Sequence, residues 1–254
     1  MENETNEVIA GRNAVLEALR AHRELDTIYI SETESQFSRK IKALSREAGV
    51  VVKSVTRQKL DGMAGGVNHQ GVAAVCCCTR YAALHDILAV SADKGTPPFL
   101  IIADEIEDPH NLGAILRTAE ACGADGVILP KRRSASLNTT VYKTSAGAAG
   151  AVKIARVSNL VACLKELKQK GIWIYGADMG GRPWNGLDYR DGTALVIGSE
   201  GRGLTRLVKE QCDFIVSLPM LGQINSLNAS VAAGILMYEV LRQRGKWEGY
   251  HAGT

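Results

Sequence analysis

The chain has 254 residues, enough for two domains at roughly 100–200 residues each. With 46% hydrophobic and 22% charged residues, it has the make-up of a soluble globular protein and is too apolar to be disordered. Lysine and arginine total 30 against 27 acids, so the formal charge is +3, which excludes a histone-like polycation but allows a basic patch on a near-neutral surface.

The start, Met1-Glu2-Asn3-Glu4, is acidic and lacks an apolar core, so no secretory signal is expected there. Gly11-Arg12-Asn13 opens a helical pattern with Val15, Leu16 and Leu19 on one face. Strands are predicted at Asp26 to Ile30, Val50 to Val52 and Gly71 to Cys78, with a helix from Gln36 to Ala48. This alternation predicts a small α/β domain with its own sheet over residues 1–78. Residues 79–98, ending in Gly95-Thr96-Pro97-Pro98, read as a linker with one short possible helix around Leu84 to Val90.

A second α/β run occupies residues 99–254. Strands are predicted at Phe99 to Ile102, Gly126 to Leu129, Gly171 to Tyr175 and Ala194 to Ile197, and helices at His110 to Cys122, Leu160 to Lys170, Leu204 to Gln211 and Leu227 to Arg242. Short apolar strands between amphipathic helices imply a parallel sheet covered on both faces. The charge-free stretch Ser217 to Tyr238 contains Pro219, Gln223, Asn225 and Asn228, so it makes a poor membrane span and no membrane is expected as a partner. The cysteines are the run Cys76-Cys77-Cys78 with Cys122, Cys163 and Cys212. They form neither a Cys-x-x-Cys pair nor a spaced framework, which fits small buried hydrophobes in a reducing cytoplasm and no metal site.

Three segments carry polar residues that a plain scaffold does not need. In Asp108-Pro109-His110-Asn111-Leu112-Gly113-Ala114-Ile115-Leu116-Arg117, Asp108 and Pro109 are helix-start signals and Leu112, Ile115, Leu116 and Ala119 form the apolar stripe. Arg117 lies off that stripe beside Gly113, Ala114 and Ala121, whose small side chains leave space around a guanidinium; a solvated arginine is the alternative. The second segment, Gly198-Ser199-Glu200-Gly201-Arg202-Gly203, follows a strand. It is neither a dinucleotide fingerprint nor a P-loop, and it places an ionisable Glu200 where open α/β sheets bind ligands. The third, Ser217 to Ser230, opens a nearly uncharged helix with Asn225, Ser226 and Asn228; Ser226 is a candidate cap, and such a helix is buried in the fold or in a dimer.

In this order the three segments resemble the motifs of the SpoU–TrmH class of SPOUT RNA methyltransferases. The likeness runs through Asn111 to Arg117, Ile197 to Gly203, Leu218-Pro219-Met220 and Ser226 to Ala232, and Arg133 to Asn138 also fits. Residues 7–78, with Gly11-Arg12-Asn13-Ala14-Val15 and Asn68-His69-Gln70-Gly71, resemble the ribosomal-protein-like substrate-binding domain that precedes this catalytic domain. The resemblance is strongest to enzymes that methylate a guanosine 2′-oxygen in 23S, large-subunit ribosomal RNA. It implies an α/β SPOUT-type parallel sheet with a C-terminal deep trefoil knot, S-adenosylmethionine as cofactor, a homodimer and a cytoplasmic enzyme. It also implies that Gly198, Gly201, Leu218, Met220 and Leu227 hold the cofactor, and that Arg117, Asn111, Glu200, Ser226 and Asn228 surround the reacting ribose. Arg12, Arg39 and Lys131-Arg132-Arg133 are candidate RNA-backbone contacts. A transfer RNA substrate, another ribosomal nucleotide, or a catalytically silent RNA-binding protein are the competing expectations.

Overall fold

The computed structural model describes residues 8–21, 23, 25–33, 35–76 and 81–245. It divides into two compact units at 80/81, with Ser136–Thr139 grouping with the first.

The first unit runs β1 (Val8–Ala10), α1 (Arg12–Arg20), β2 (Leu25–Ser31), α2 (Gln36–Glu47), β3 (Val51–Val55), α3 (Arg57–Ala64) and β4 (Val72–Cys76). Its sheet has the order β1-β4-β2-β3, with β2 and β3 parallel and β4 antiparallel to both its neighbours. Val15 and Leu19 of α1 and Ile41 of α2 close the core over Ile28, Ile30 and Val72. Two elements escaped sequence reading. β1 is three residues long, and α3 buries only Leu60 and Ala64, too sparse a stripe to declare a helix. Cys77 and Cys78 lie outside the described residues.

The second unit runs α4 (Leu84–Lys94), β5 (Phe99–Ala103), α5 (Pro109–Ala121), β6 (Gly126–Pro130), α6 (Thr139–Thr144), α7 (Ala148–Ala151), β7 (Ile154–Val157), α8 (Leu160–Gln169), β8 (Trp173–Pro183), a 3-10 turn (Trp184–Gly186), β9 (Thr193–Ile197), α9 (Arg206–Lys209), β10 (Phe214–Ser217) and α10 (Ala229–Arg244). The sheet order is β10-β8-β9-β5-β6-β7, and every pairing is parallel. All residues of β5 and β9 are buried, as befits central strands covered on both faces. The chain leaves β5 toward β6 and later returns to lay β9 on its other side. The carboxyl ends of β5 and β9 therefore flank the point where strand order reverses.

Part of the predicted linker 79–98 is not a linker. α4 packs onto the sheet, with Ile87 fully buried among Leu100, Ile102 and Ile128. Gly126 makes this approach possible, because a Cβ there would sit 2.6 Å from the Ile87 side chain. The reason the segment reads as a connection is that α4 buries only Ile87 and Ser91. The predicted helix 204–211 shrinks to the short α9, since Leu204 is buried beneath the loop and the Thr205 N–H is held by the Asp104 carboxylate at 2.7 Å. Burial raises the pKa of Asp104, and its bond from Thr205 opposes that rise. The edge strands β7 and β10, four residues each, carry too little pattern to be read from sequence.

Cys122, Cys163 and Cys212 are free thiols whose pKa is pushed up to about 12 by burial. They pack as inert hydrophobes. Among the described residues, no helix is long and apolar enough to cross a membrane.

Truncating Ile87 to Ala should destabilise the protein by about 2–5 kcal/mol in denaturant unfolding, the cost of a cavity in a packed core. A shift below about 0.5 kcal/mol, the range of a surface site, would return this segment to the status of a linker.

Candidate active site

Three segments leave the sheet at the carboxyl ends of its strands. After β5 the chain passes through Asp108, whose side chain accepts the His110 N–H at 3.0 Å and starts α5, with Pro109 in the first position. One turn in, Asn111 is 8% exposed, on the buried side with Leu112, Ile115 and Leu116. After β9 the chain makes the Gly198–Gly203 loop, closed by reciprocal backbone hydrogen bonds between Ser199 and Gly203 at 3.1 and 2.9 Å. A Cβ on Gly198 would collide with the Gly203 carbonyl, so the loop folds this tightly only with glycine there. After β10 the chain runs from Leu218 to Asn228, which caps α10. The Asn228 Oδ1 accepts from the Ser230 and Val231 N–H groups at 3.0 and 3.3 Å. The cap is thus Asn228, not the predicted Ser226, and the helix begins two residues later than expected.

The three segments meet at one carboxylate. Glu200 Oε1 accepts from Asn111 Nδ2 at 3.0 Å, from Asn228 Nδ2, and from the Ala229 backbone N–H at 3.3 Å. Asn228 Nδ2 also donates to Asn111 Oδ1 at 2.9 Å. The Glu200 carboxylate sits at the α10 N-terminus, where the helix dipole favours an anion.

Beside this cluster lies a pocket of about 470 Å³, within the ~300–1,000 Å³ typical of small-molecule sites. All five predicted cofactor residues, Gly198, Gly201, Leu218, Met220 and Leu227, line it, and so does Ser226. Ser199 and Gly201, which flank Glu200, are both in the wall. Ser199 Oγ is buried there with no hydrogen-bond partner among the described residues.

A further wall went unread in the sequence: Asp178 and Met179, in the outer half of β8. The strand was expected to stop at Tyr175, yet it continues to Pro183. The pair Asp178-Met179 before two glycines was the available signal. Lys209 of α9 holds Asp178 by an ion pair of 2.7 Å.

Arg117 does not join the cluster. It follows Asn111 by six residues on α5, which separates the two by about 9 Å along the axis and roughly 120° around it. It is exposed and absent from the pocket wall. The space attributed to Gly113 is also used otherwise. A Cβ there would lie 2.6 Å from Thr144 Cβ of α6, so the missing side chain admits that helix and not the Arg117 guanidinium. Of the basic triplet after β6, Arg132 is exposed and Arg133 pairs with Glu105 at 2.8 Å. Glu105 also meets Arg202 of the glycine loop at 3.7 Å. Arg39 is exposed on α2.

A parallel α/β unit with a ligand-sized pocket at the ends of β8, β9 and β10, preceded in sequence by a separate α/β unit, is the layout of an enzyme that binds one small molecule and a larger substrate. Residues 98–238 match the SpoU rRNA Methylase family, and residues 8–81 match a domain described as RNA 2′-O ribose methyltransferase substrate binding. The chain belongs to the SpoU family and is an RNA methyltransferase of the SpoU/TrmH type. It is 46% identical over 244 residues to a Bacillus subtilis (strain 168) chain named as a TrmH family tRNA/rRNA methyltransferase, YacO, covering 95% of this chain and 98% of that one. It is likewise 46% identical over 243 residues to a similarly named chain of Staphylococcus haemolyticus, covering 93% and 96%. Its fold matches the crystal structure of the SpoU methyltransferase AviRb from Streptomyces viridochromogenes in complex with AdoMet. The TM-score is 0.60 at 24% identity, over 93% of this chain and 90% of that one.

Replacing Glu200 by Ala removes the oxygen on which three donors converge, so each of them loses its acceptor. The expected loss is about 1–3 kcal/mol in chemical unfolding. Wild-type stability would mean that the three segments are held together by something other than this carboxylate.

Proposed function

We propose that the protein transfers a methyl group from S-adenosylmethionine to the 2′-oxygen of a nucleotide, a guanosine, in 23S ribosomal RNA. The observation that carries this reading is the pocket at the ends of β8, β9 and β10, with the Asn111–Glu200–Asn228 cluster beside it. The wall suits the cofactor. Gly198 lets the loop fold tightly against Gly203 and so shapes the wall, and Leu218, Met220 and Leu227 supply apolar surface. Residues of the second and third family motifs line it, whereas none of Asn111 to Arg117 does.

S-adenosylmethionine supplies a methyl group on a sulfonium centre, already a strong electrophile. The protein's part is then mainly placement: a ribose hydroxyl must be held in line and its developing charge stabilised. Asn111 and Asn228 have their amides fixed by Glu200, and such locked polar groups orient a ribose without reorganising. Ser226 lies at the same pocket and is the remaining hydroxyl of the motif. A guanidinium is a poor base in proteins, so the role of Arg117 in this reading is to grip the adjacent phosphate and stabilise the alkoxide.

Since Arg117 stands away from the cluster of its own chain, the reading includes a homodimer in which it serves the other subunit's pocket. Supporting this are Val231, Ile235 and Tyr238, an exposed apolar stripe on one face of α10, together with the exposed Leu221 and Ile224. The C-terminal trefoil knot belongs to the same proposal; α10 does return to pack against α5 and β9. RNA is held by the first unit and by Arg132, Arg133 and Arg202 near the strand ends, with the domain division at 1–78 and 99–254 shifted to include α4 in the catalytic part.

Mapping 2′-O-methyl groups on ribosomal RNA from cells lacking the protein, then restoring the mark with purified enzyme, tests the reaction and the nucleotide. A mark missing from transfer RNA instead would move the substrate. An Arg117→Lys variant should lose about 10²–10³ in kcat, the cost of removing one oxyanion donor. Mixing inactive Arg117→Ala and Glu200→Ala chains should restore activity through hybrid dimers, and no recovery would return Arg117 to its own subunit.

A further inference from the structure

The first unit contains a cleft of about 530 Å³ that none of the chemistry above uses. It lies between the carboxyl end of β2 at Ser31, the segment with Thr33 and Ser35 that precedes α2, and the loop Asn68–Gly71 that precedes β4. We propose that this cleft receives one unpaired nucleobase of the RNA, stacked on the Arg12–Phe37 pair; the inference rests on the RNA-methyltransferase reading and gives that substrate a specific anchoring point.

The wall is built for a flat ring. The Arg12 guanidinium lies over the Phe37 ring at 4.9 Å from its centroid. Arg12 is also tied down, since its Nε donates to the Gln70 carbonyl at 3.2 Å and its backbone N–H to Gln70 Oε1 at 3.3 Å. A fixed guanidinium on an aromatic ring presents a planar, cationic surface, the type on which unstacked RNA bases lie.

The opposite loop is held rigid from beneath. Gln70 adopts φ +49, a left-handed conformation that a non-glycine residue holds only where its surroundings fix it. Its own N–H donates to Asn68 Oδ1 at 3.2 Å. The buried His69 accepts the Gly71 N–H through Nδ1 at 3.0 Å, so its Nε2 carries the proton and donates to Asp61 at 2.9 Å. His69 is thereby used up as a brace, which leaves the cleft a binding site and not a second catalytic one.

The polar lining matches a base and a phosphate together. Among the described lining residues, the charged side chains are Arg12 and Arg57, both cations. Thr33 and Asn68 offer a hydroxyl and an amide to the edge of a base. A site of this kind holds an exposed loop nucleotide, whereas a paired one stays inside its helix.

The test uses the full-length protein and a single-stranded oligoribonucleotide with one central 2-aminopurine, whose fluorescence falls on stacking. Titration should quench it without any cofactor present. Phe37→Leu and Arg12→Lys should each weaken binding by about tenfold or more, the typical loss of one base-stacking contact. Arg12→Lys is the stricter variant, because it keeps the charge on an exposed residue and so leaves folding and simple phosphate attraction in place. Both variants should raise the KM for RNA while the affinity for S-adenosylmethionine, measured by calorimetry, stays at its wild-type value. Wild-type quenching and affinity in Arg12→Lys would overturn the proposal. If the wild-type enzyme methylates no RNA yet still quenches the probe through Arg12 and Phe37, the cleft stands and the proposed reaction falls.

Discussion

The Glu200 carboxylate oxygen, accepting from Asn111, Asn228 and Ala229, is the point at which three loops from three strands become one surface. The loops come from β5, β9 and β10, and the first and last of these residues are 117 apart in sequence. Each loop alone is an ordinary connection. Tied to one anion at the mouth of α10, they hold a pocket wall and a row of locked amides in place. The sign of the charge is not incidental, since the first N–H of α10 and two side-chain amides all point their hydrogens at this one oxygen.

The sheet beneath makes that meeting geometrically available. Because the strands are parallel, their carboxyl ends lie along one edge, and because the order reverses between β5 and β9, the loops diverge and leave a crevice. Packing at the other end of the sheet anchors the last helix. Arg244 at the end of α10 donates to the Pro97, Pro98 and Asp191 carbonyls at 2.7, 2.9 and 2.7 Å. Burial lowers its pKa, which marks the cost of placing a guanidinium there; Glu239, also buried, is held below the usual carboxylate range by its bonds from Arg242. The helix that begins at the Glu200 cluster is thus fixed at its far end by one cation, Arg244, that bonds three carbonyls of other segments.

The two units offer different surfaces. The second has a pocket walled largely by backbone and apolar side chains, suited to a small molecule. The first unit offers a guanidinium on a ring and a braced polar loop, suited to a base. Arg133 and Arg202, both paired with Glu105, add positive charge close to the strand ends. A macromolecular substrate gripped in more than one place can be positioned well even when few groups touch the reacting atoms.

The sequence by itself determined the alternation of elements, the central strands and the three polar segments, because long apolar runs and helix caps are written in neighbouring residues. Asp108, Pro109 and the stripe Leu112-Ile115-Leu116 behave as their local pattern dictates. It also yielded Asn111, Glu200, Asn228 and the five pocket residues, through motifs in a recognisable order and not through periodicity. Short edge strands such as β7 and β10 were invisible, since their pairing partners are remote and their own pattern is four residues long. Only the tertiary structure decided that α4 is core, that Gly113 makes room for Thr144, that β8 extends to carry Asp178 and Met179, and that Arg117 stands apart from its own chain's cluster. Each of these depends on which surface a residue meets across the fold, a fact fixed by packing between distant segments and not by local sequence.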